Sequence, residues 1–315
     1  MVNERQATRR RTWDDLPSAV RDAVGRKVRD QVVGFSPSVG GFSVDAVIGV
    51  LSLSGARRLF IKGVPCSHPS VGDYRLEAAL LTAIPDVPAM PQLVGVVDAF
   101  DWFVVILEAL EGSIAHEPWQ QRQLAATLDA LVVADQATQA VRLDLPTVAE
   151  RMAGRCETFK RWPGNNVALT DWCLANLERL RALETQWTEL VVGDAVLHFD
   201  LRHDNCWIRP DGSVAILDWG RACLGPRWVD VVCLLLLSDT GLLDRDSVLT
   251  SHPLCARANS EHVDAFLVAL LSYWANAASG ITIVGAPQLR QRQVRSRAAT
   301  GQWLAARWQP PTETL

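Results

Sequence analysis

The chain has 315 residues, 49% of them hydrophobic, and a formal net charge of −4 at pH 7. That length supports one large core or two packed lobes, and the slightly acidic balance removes the electrostatic drive for general nucleic-acid binding. Seven scattered cysteines with no C-x-x-C pair argue against a disulfide scaffold or a zinc ribbon and for a reducing, cytoplasmic setting.

The first residues carry Arg5 and Arg9 to Arg11, then Thr12-Trp13-Asp14-Asp15, which reads as a solvated basic arm rather than a leader. Leu16 to Arg29 has the pattern of a helix that packs. From about Val32 to Leu107 strand signals dominate. Val44 to Leu53 is rich in Val, Ile and Leu, Ser54-Gly55 supplies a turn, and Leu59-Phe60-Ile61-Lys62 resumes the apolar run, predicting a hairpin. A helix follows near Asp73 to Ile84, with Asp73 as its cap and Pro85 beyond its end. Glu77 shares the inward face of Leu80, Leu81 and Ile84, and a carboxylate there needs a partner. Lys62, one of only three lysines, closes the preceding strand.

Gln92 to Val97 and Trp102 to Leu107 flank a turn at Asp98 to Asp101 and complete a small sheet; Glu108 to Gly112 is a connector. Helical periodicity then takes over. Leu124, Leu128 and Leu131 mark one helix, and Trp172, Ala175, Leu180 and Leu183 another. Val229 to Leu237 is far shorter than the roughly 20 residues that span a bilayer, so it reads as a buried helix and no membrane association is expected. Between these helices Cys206-Trp207-Ile208-Arg209 and Val214-Ala215-Ile216-Leu217 flank Pro210-Asp211-Gly212-Ser213, which is turn chemistry. A hairpin closing symmetrically about those four residues sets Asn205 opposite Asp218.

The most informative stretch is His198-Phe199-Asp200-Leu201-Arg202-His203-Asp204-Asn205 followed by Ile216-Leu217-Asp218-Trp219-Gly220. Phosphoryl transfer asks little covalent chemistry of a protein. It needs a carboxylate to orient and deprotonate a hydroxyl, and oxygen ligands to hold Mg²⁺ against the phosphates. Asp200, Asn205 and Asp218 supply these groups.

These segments resemble the H-x-D-x-x-x-x-N loop and I-D-W segment of aminoglycoside phosphotransferases and of the related choline, homoserine and fructosamine kinases. The resemblance covers roughly residues 30 to 240. It implies a bilobal α+β protein-kinase-like fold, with a small antiparallel-sheet nucleotide-binding lobe over 1–110 and a mainly helical catalytic and substrate lobe over 111–315. It implies Asp200 as catalytic base, Asn205 and Asp218 as Mg²⁺ ligands, and His198 as a brace for the loop. Lys62 then holds the phosphates of ATP or GTP and pairs with Glu77. Val39-Gly40-Gly41-Phe42-Ser43 resembles the turn over the phosphates, with Gly40, Gly41 and Ser43 near the nucleotide and the backbone of Glu108 to Leu110 at the adenine edge. Asp230, in Gly225-Pro226-Arg227-Trp228-Val229-Asp230, matches a structural aspartate. Arg202-His203-Asp204 departs from the histidine or asparagine, proline and glycine of many relatives.

The reaction so implied is transfer of a γ-phosphate to a hydroxyl of an antibiotic or metabolite. A metal-dependent hydrolase is the alternative suggested by the close spacing of His198, Asp200, His203 and Asp204, but the other histidines form no second ligand motif. A non-catalytic nucleotide-binding module is a second alternative, opposed by the presence of Lys62, Asp200, Asn205 and Asp218 together. A protein kinase is disfavoured by Asp218-Trp219-Gly220 and the lack of an Ala-Pro-Glu segment. A polycationic acceptor would call on carboxylates such as Asp204, Glu261 and Asp264, whereas the twelve tryptophans suit a less charged one as well as they suit a core.

Overall fold

The computed structural model describes residues 11–38, 45–165, 167–238, 244–280 and 287–309. The chain begins with α1 (Ser18–Val28), β1 (Val32–Pro37), β2 (Val47–Leu53), β3 (Arg58–Pro65), α2 (Val71–Ala83), β4 (Leu93–Ala99), β5 (Trp102–Glu108), β6 (Ser113–Ile114) and α3 (Gln121–Thr138). Then come α4 (Val148–Met152), α5 (Thr158–Arg161), α6 (Asp171–Ala175), α7 (Leu177–Leu190), β7 (Ala195–Leu197), β8 (Cys206–Ile208) and β9 (Val214–Ile216). The rest is β10 (Cys223–Gly225), α8 (Trp228–Leu237), α9 (Arg245–Ser251), α10 (Ser260–Ser279) and α11 (Pro287–Arg307). By packing, two compact units form: Met1–Leu143 with Arg202–Ala222, and Asp144–Leu201 with Cys223–Leu315.

The first unit is built on an antiparallel sheet in the order β1-β2-β3-β5-β4. Along β2 buried and half-buried residues alternate, the period of a strand with one face in a core. That face is covered by α1, whose Val20, Val24 and Val28 recur every fourth residue and pack with Val47, Leu51, Ile61 and Ile106. The helix expected at Leu16 to Arg29 is therefore a lid on the sheet. Two residues, Phe100 and Asp101, join β4 to β5, and both have positive φ (56° and 59°), the backbone of a tight hairpin turn.

Three expectations need correction. Asp73 does not cap α2: the helix starts earlier, with Ser70 at the cap, and Asp73 lies in the first turn. The β8–β9 hairpin is displaced by one residue, since Cys206 pairs with Ile216 and Ile208 with Val214. Its loop is Pro210-Asp211-Gly212, closed by Arg209 N–H donating to Ser213 O at 2.9 Å and completed by Gly212 at φ 85°; a three-residue loop of this kind ends on a left-handed residue. Asn205 thus faces Leu217, whose N–H donates to Asn205 O at 2.8 Å, and Asp218 stands one position farther.

The third correction lies in the second unit. The helix read through Trp172, Ala175, Leu180 and Leu183 is broken at Asn176 (φ −110°, ψ 16°) into α6 and α7. The Asn176 side-chain amide donates to Trp172 O at 2.9 Å, the local competition with helical backbone that asparagine offers. Around α7 this unit packs α5 and α10, and α10 in turn packs α11. α8 is buried along nearly its whole length, as expected for Val229 to Leu237. Among the described residues no helix is long and apolar enough to cross a membrane.

Candidate active site

In the first unit, Lys62 sits on β3 between Ile48 of β2 and Val105 of β5, only 7% exposed. Its Nζ lies 2.5 Å from Glu77 Oε2 and 2.8 Å from Asp218 Oδ1, with the Tyr74 ring 5.6 Å away. The expected Lys62–Glu77 ion pair is present, and Asp218 makes it a triad. Burial alone would depress the Lys62 ammonium, but the Asp218 and Glu77 carboxylates outweigh it and hold the pKa above the usual lysine value. Burial pushes the Glu77 carboxyl upward, with Lys62 pulling against it. Glu77 Oε1 also accepts the Trp219 N–H at 3.3 Å, tying α2 to the segment that carries Asp218.

That segment has an unusual backbone. Asp218 is left-handed (φ 67°, ψ 61°), Trp219 is buried with its indole N–H donating to Ile216 O at 2.8 Å, and Gly220 passes against α2. A Cβ on Gly220 would stand 2.9 Å from Asp73 O, so only glycine fits this crossing. Asp218 remains exposed, whereas Asn205 is 5% exposed at the end of a short 3₁₀ turn, His203–Asn205. An amide oxygen and a carboxylate on adjacent arms of one hairpin make an all-oxygen donor pair. This suits Mg²⁺, which is held through one or two protein oxygens together with substrate phosphates.

Glu108 ends β5 and is paired to Gln92: its N–H donates to Gln92 O at 3.0 Å, and its Oε1 accepts Gln92 N–H at 2.9 Å. Leu110 follows in the connector, half-buried. Gly112 (φ 123°) ends it where a Cβ would come within 2.0 Å of Ile208 O, which fixes the connector against β8. Gly40, Gly41 and Ser43 lie outside the described residues.

In the second unit β7 runs into His198-Phe199-Asp200. His198 is fully buried and its Nδ1 accepts the Asp200 N–H at 3.2 Å. Asp230, in the first turn of α8, accepts the N–H of His198 at 2.7 Å and of Phe199 at 2.9 Å. Phe199 itself is left-handed (φ 61°), a costly conformation for a bulky residue that the two Asp230 bonds and the His198 bond hold in place. Asp200 is half-buried immediately after it. The bracing role assigned to His198 is thus visible in its geometry, and Asp230 is a second brace whose two contacts no spacing rule would have shown.

Two groups of the hydrolase alternative, Asp204 and His203, are engaged elsewhere. Arg202 holds Asp204 through two bonds of 2.8 and 3.0 Å, and His203 Nε2 lies 3.3 Å from Glu117 Oε2. This Arg202–Asp204 fork stiffens the turn at the positions where the sequence departs from the pattern of its relatives.

The model of the phosphotransferase enzyme family matches residues 50–266, well over half of the chain, and the chain belongs to that family of small-molecule kinases. It is a phosphotransferase with an alcohol group as acceptor. Solved structures agree on the protein-kinase-like α+β fold. An aminoglycoside phosphotransferase from Alicyclobacillus acidocaldarius is 19% identical (TM-score 0.54, covering 93% of this chain and 95% of that one). A choline kinase from Streptococcus pneumoniae is 14% identical (TM-score 0.59; 92% and 98%). An AMP-bound spectinomycin phosphotransferase is 10% identical (TM-score 0.59; 93% and 99%). No curated protein matches the chain by sequence.

Proposed function

We propose that the chain transfers the γ-phosphate of ATP or GTP to a hydroxyl of a small antibiotic or metabolite. The observation that carries this reading is the Lys62–Glu77–Asp218 triad: a buried ammonium held charged on a strand, with one of its two carboxylate partners exposed. A permanently protonated, positioned lysine is what phosphate oxygens require, and Glu77 keeps it pointing along one direction. In this reading residues 1–110 serve the nucleotide and 111–315 serve catalysis and the acceptor. Gly40, Gly41 and Ser43 serve the phosphates, and the backbone of Glu108 and Leu110 serves the base. Asn205 and Asp218 hold Mg²⁺, which when bound neutralises charge on the β- and γ-phosphate oxygens.

Asp200 takes the proton of the acceptor hydroxyl. The brace of His198 and Asp230 fixes the backbone that carries it, and positioning is the larger part of what a protein contributes to this reaction. Titration calorimetry with ATP and with GTP, each with and without Mg²⁺, tests the nucleotide half; no Mg²⁺-dependent binding of either would overturn it. Nucleotide consumption by the purified protein across hydroxylated antibiotics and metabolites tests the transfer half.

A further inference from the structure

The turn that ends on Asn205 runs through Arg202-His203-Asp204-Asn205 and contains neither proline nor glycine. Its backbone chemistry alone does not restrict it, and an unrestrained turn costs conformational entropy to hold in one shape. The restraint comes from side chains. Arg202 is extended (φ −136°, ψ 161°) and precedes the 3₁₀ turn His203–Asn205. Its Nε and Nη2 donate to Asp204 Oδ1 and Oδ2 at 2.8 and 3.0 Å, a two-bond fork across one intervening residue. The two side chains are only 14% and 25% exposed, so salt screens this pair far less than a pair on the open surface.

The intervening residue is tied outward. His203 Nε2 lies 3.3 Å from Glu117 Oε2, just beyond β6, and β6 is itself joined to β8: Ile114 stands opposite Trp207, and the Ala115 N–H donates to Cys206 O at 2.8 Å. Asn205 closes the arrangement, its N–H donating to Arg202 O at 3.0 Å and its O accepting the Leu217 N–H at 2.8 Å. Arg202 therefore holds Asn205 through its carbonyl and Asp204 through its guanidinium.

We infer that Arg202 and Asp204 are positioning residues for the metal: their fork fixes the backbone that presents Asn205, and so sets Mg²⁺ affinity without either side chain touching metal or nucleotide. This rests on the phosphotransfer reading given above, in which Asn205 and Asp218 hold Mg²⁺. Mg²⁺ demands near-ideal octahedral geometry, so a ligand on an unheld turn serves it poorly. The competing role for Asp204, a carboxylate next to Asn205, is direct ligation. The two roles differ in sign. Removing Arg202 releases the Asp204 carboxylate, which would strengthen metal binding if Asp204 were a ligand and weakens it if the fork positions Asn205.

The test compares the wild type with Arg202→Met, Arg202→Lys and Asp204→Asn. ATP and GTP are titrated by calorimetry with and without Mg²⁺. Mn²⁺ uptake in the presence of the nucleoside diphosphate is read from the electron paramagnetic resonance of the free ion, and hydrogen exchange is followed at the Asn205 and Leu217 amides. Mn²⁺ affinity and the Mg²⁺-dependent part of nucleotide binding should fall about 10- to 100-fold in Arg202→Met and Asp204→Asn, the range for losing a group that orients a metal ligand. Arg202→Lys should fall between, because an ammonium keeps the charge and loses the planar fork; should Arg202→Met fail to fold, it still decides. Nucleotide affinity without Mg²⁺ should stay at the wild-type value, and both amides should exchange faster. Tighter Mn²⁺ binding in Arg202→Met, metal affinity unchanged in the folded variants, or equal losses with and without Mg²⁺ would each overturn the inference alone. A wild type with no Mg²⁺-dependent nucleotide binding would overturn the phosphotransfer reading and the inference together.

Discussion

Lys62 Nζ stands 2.8 Å from Asp218 Oδ1, so the residue proposed for the phosphates holds the residue proposed for the metal. A cation bound at Asp218 would meet a carboxylate that already holds Lys62 through Oδ1, so metal and lysine are coupled through one side chain. Lys62→Ala should abolish Mg²⁺-dependent nucleotide binding, and it should also destabilise the fold, because Glu77 is fully buried and would lose its cation. Breaking such a pair costs about 3–5 kcal/mol, less whatever Glu77 recovers by taking up a proton. Urea unfolding measures it, and the double variant Lys62→Met with Glu77→Leu should recover most of the loss.

The same pair makes a statement about pH. Because Lys62 binds its proton more tightly in the folded chain, its contribution is complete below the ordinary lysine value of 10.5 and is lost as pH rises through the higher folded value. Stability should be flat with respect to Lys62 through neutral pH and decline on the alkaline side. The Lys62→Met, Glu77→Leu protein should lack that part of the decline in unfolding curves recorded across alkaline pH; an identical decline in both proteins would remove Lys62 as its source.

Gly220 offers a steric test. A Cβ would press on Asp73 O at 2.9 Å and Asp73 Cβ at 3.0 Å, and the backbone of α2 is not a flexible side chain that can step aside. Gly220→Ala should cost about 1–3 kcal/mol, as overpacking does. Since α2 carries Glu77, nucleotide affinity should fall with it, whereas Gly212→Ala, at a left-handed loop residue with open space around it, should cost stability and spare affinity.

What was legible beforehand followed from local chemistry. Helical spacing turned Glu77 inward, where a carboxylate needs a partner, and strand patterning carried Lys62, although β3 runs on to Pro65 rather than ending there; that the two pair came from the resemblance to the kinases. The Lys62–Asp218 contact could not be read from the chain, because it depends on a left-handed backbone at an aspartate, which the sequence marks only through the neighbouring Gly220. The hairpin was misregistered by one residue because Pro210-Asp211-Gly212-Ser213 serves as a four-residue turn or a three-residue loop equally well by composition; the φ of Gly212 decides. The break at Asn176 was hidden because apolar periodicity continues across it while the side-chain amide competes with the helix.

Asp230 should matter to catalysis without touching a reactant. Its two oxygens each accept one N–H, and Asp230→Asn retains one acceptor for two donors. A lost bond of a buried N–H to a charged group costs about 1.5–3 kcal/mol. The left-handed Phe199 should then relax, and Asp200 with it. Turnover is expected to fall with nucleotide affinity unchanged, and hydrogen exchange at the amides of residues 198–200 should accelerate; slow exchange in a variant with reduced turnover would point to some other route.

Asp200 and Asp218 should separate cleanly by substitution, although both are aspartates in one short stretch of chain. Asp200 follows a braced, left-handed residue in the loop after β7, while Asp218 sits at the open end of a hairpin, exposed and paired with Lys62. Asp200→Asn keeps size and hydrogen-bonding capacity but removes the proton acceptor. Turnover should fall by about 10²- to 10⁴-fold, the range of acid–base groups, with Mg²⁺-dependent nucleotide affinity nearly unchanged. Asp218→Asn removes a hard anionic oxygen and a partner of Lys62 together, so metal-dependent binding should weaken and added Mg²⁺ should recover only part of it. Calorimetry at two Mg²⁺ concentrations beside steady-state turnover distinguishes the two roles. If Asp200→Asn abolished metal-dependent binding while Asp218→Asn spared it, the roles would be reversed; if neither altered transfer, Asp200 would not be the base and the phosphate would be moving by another constellation.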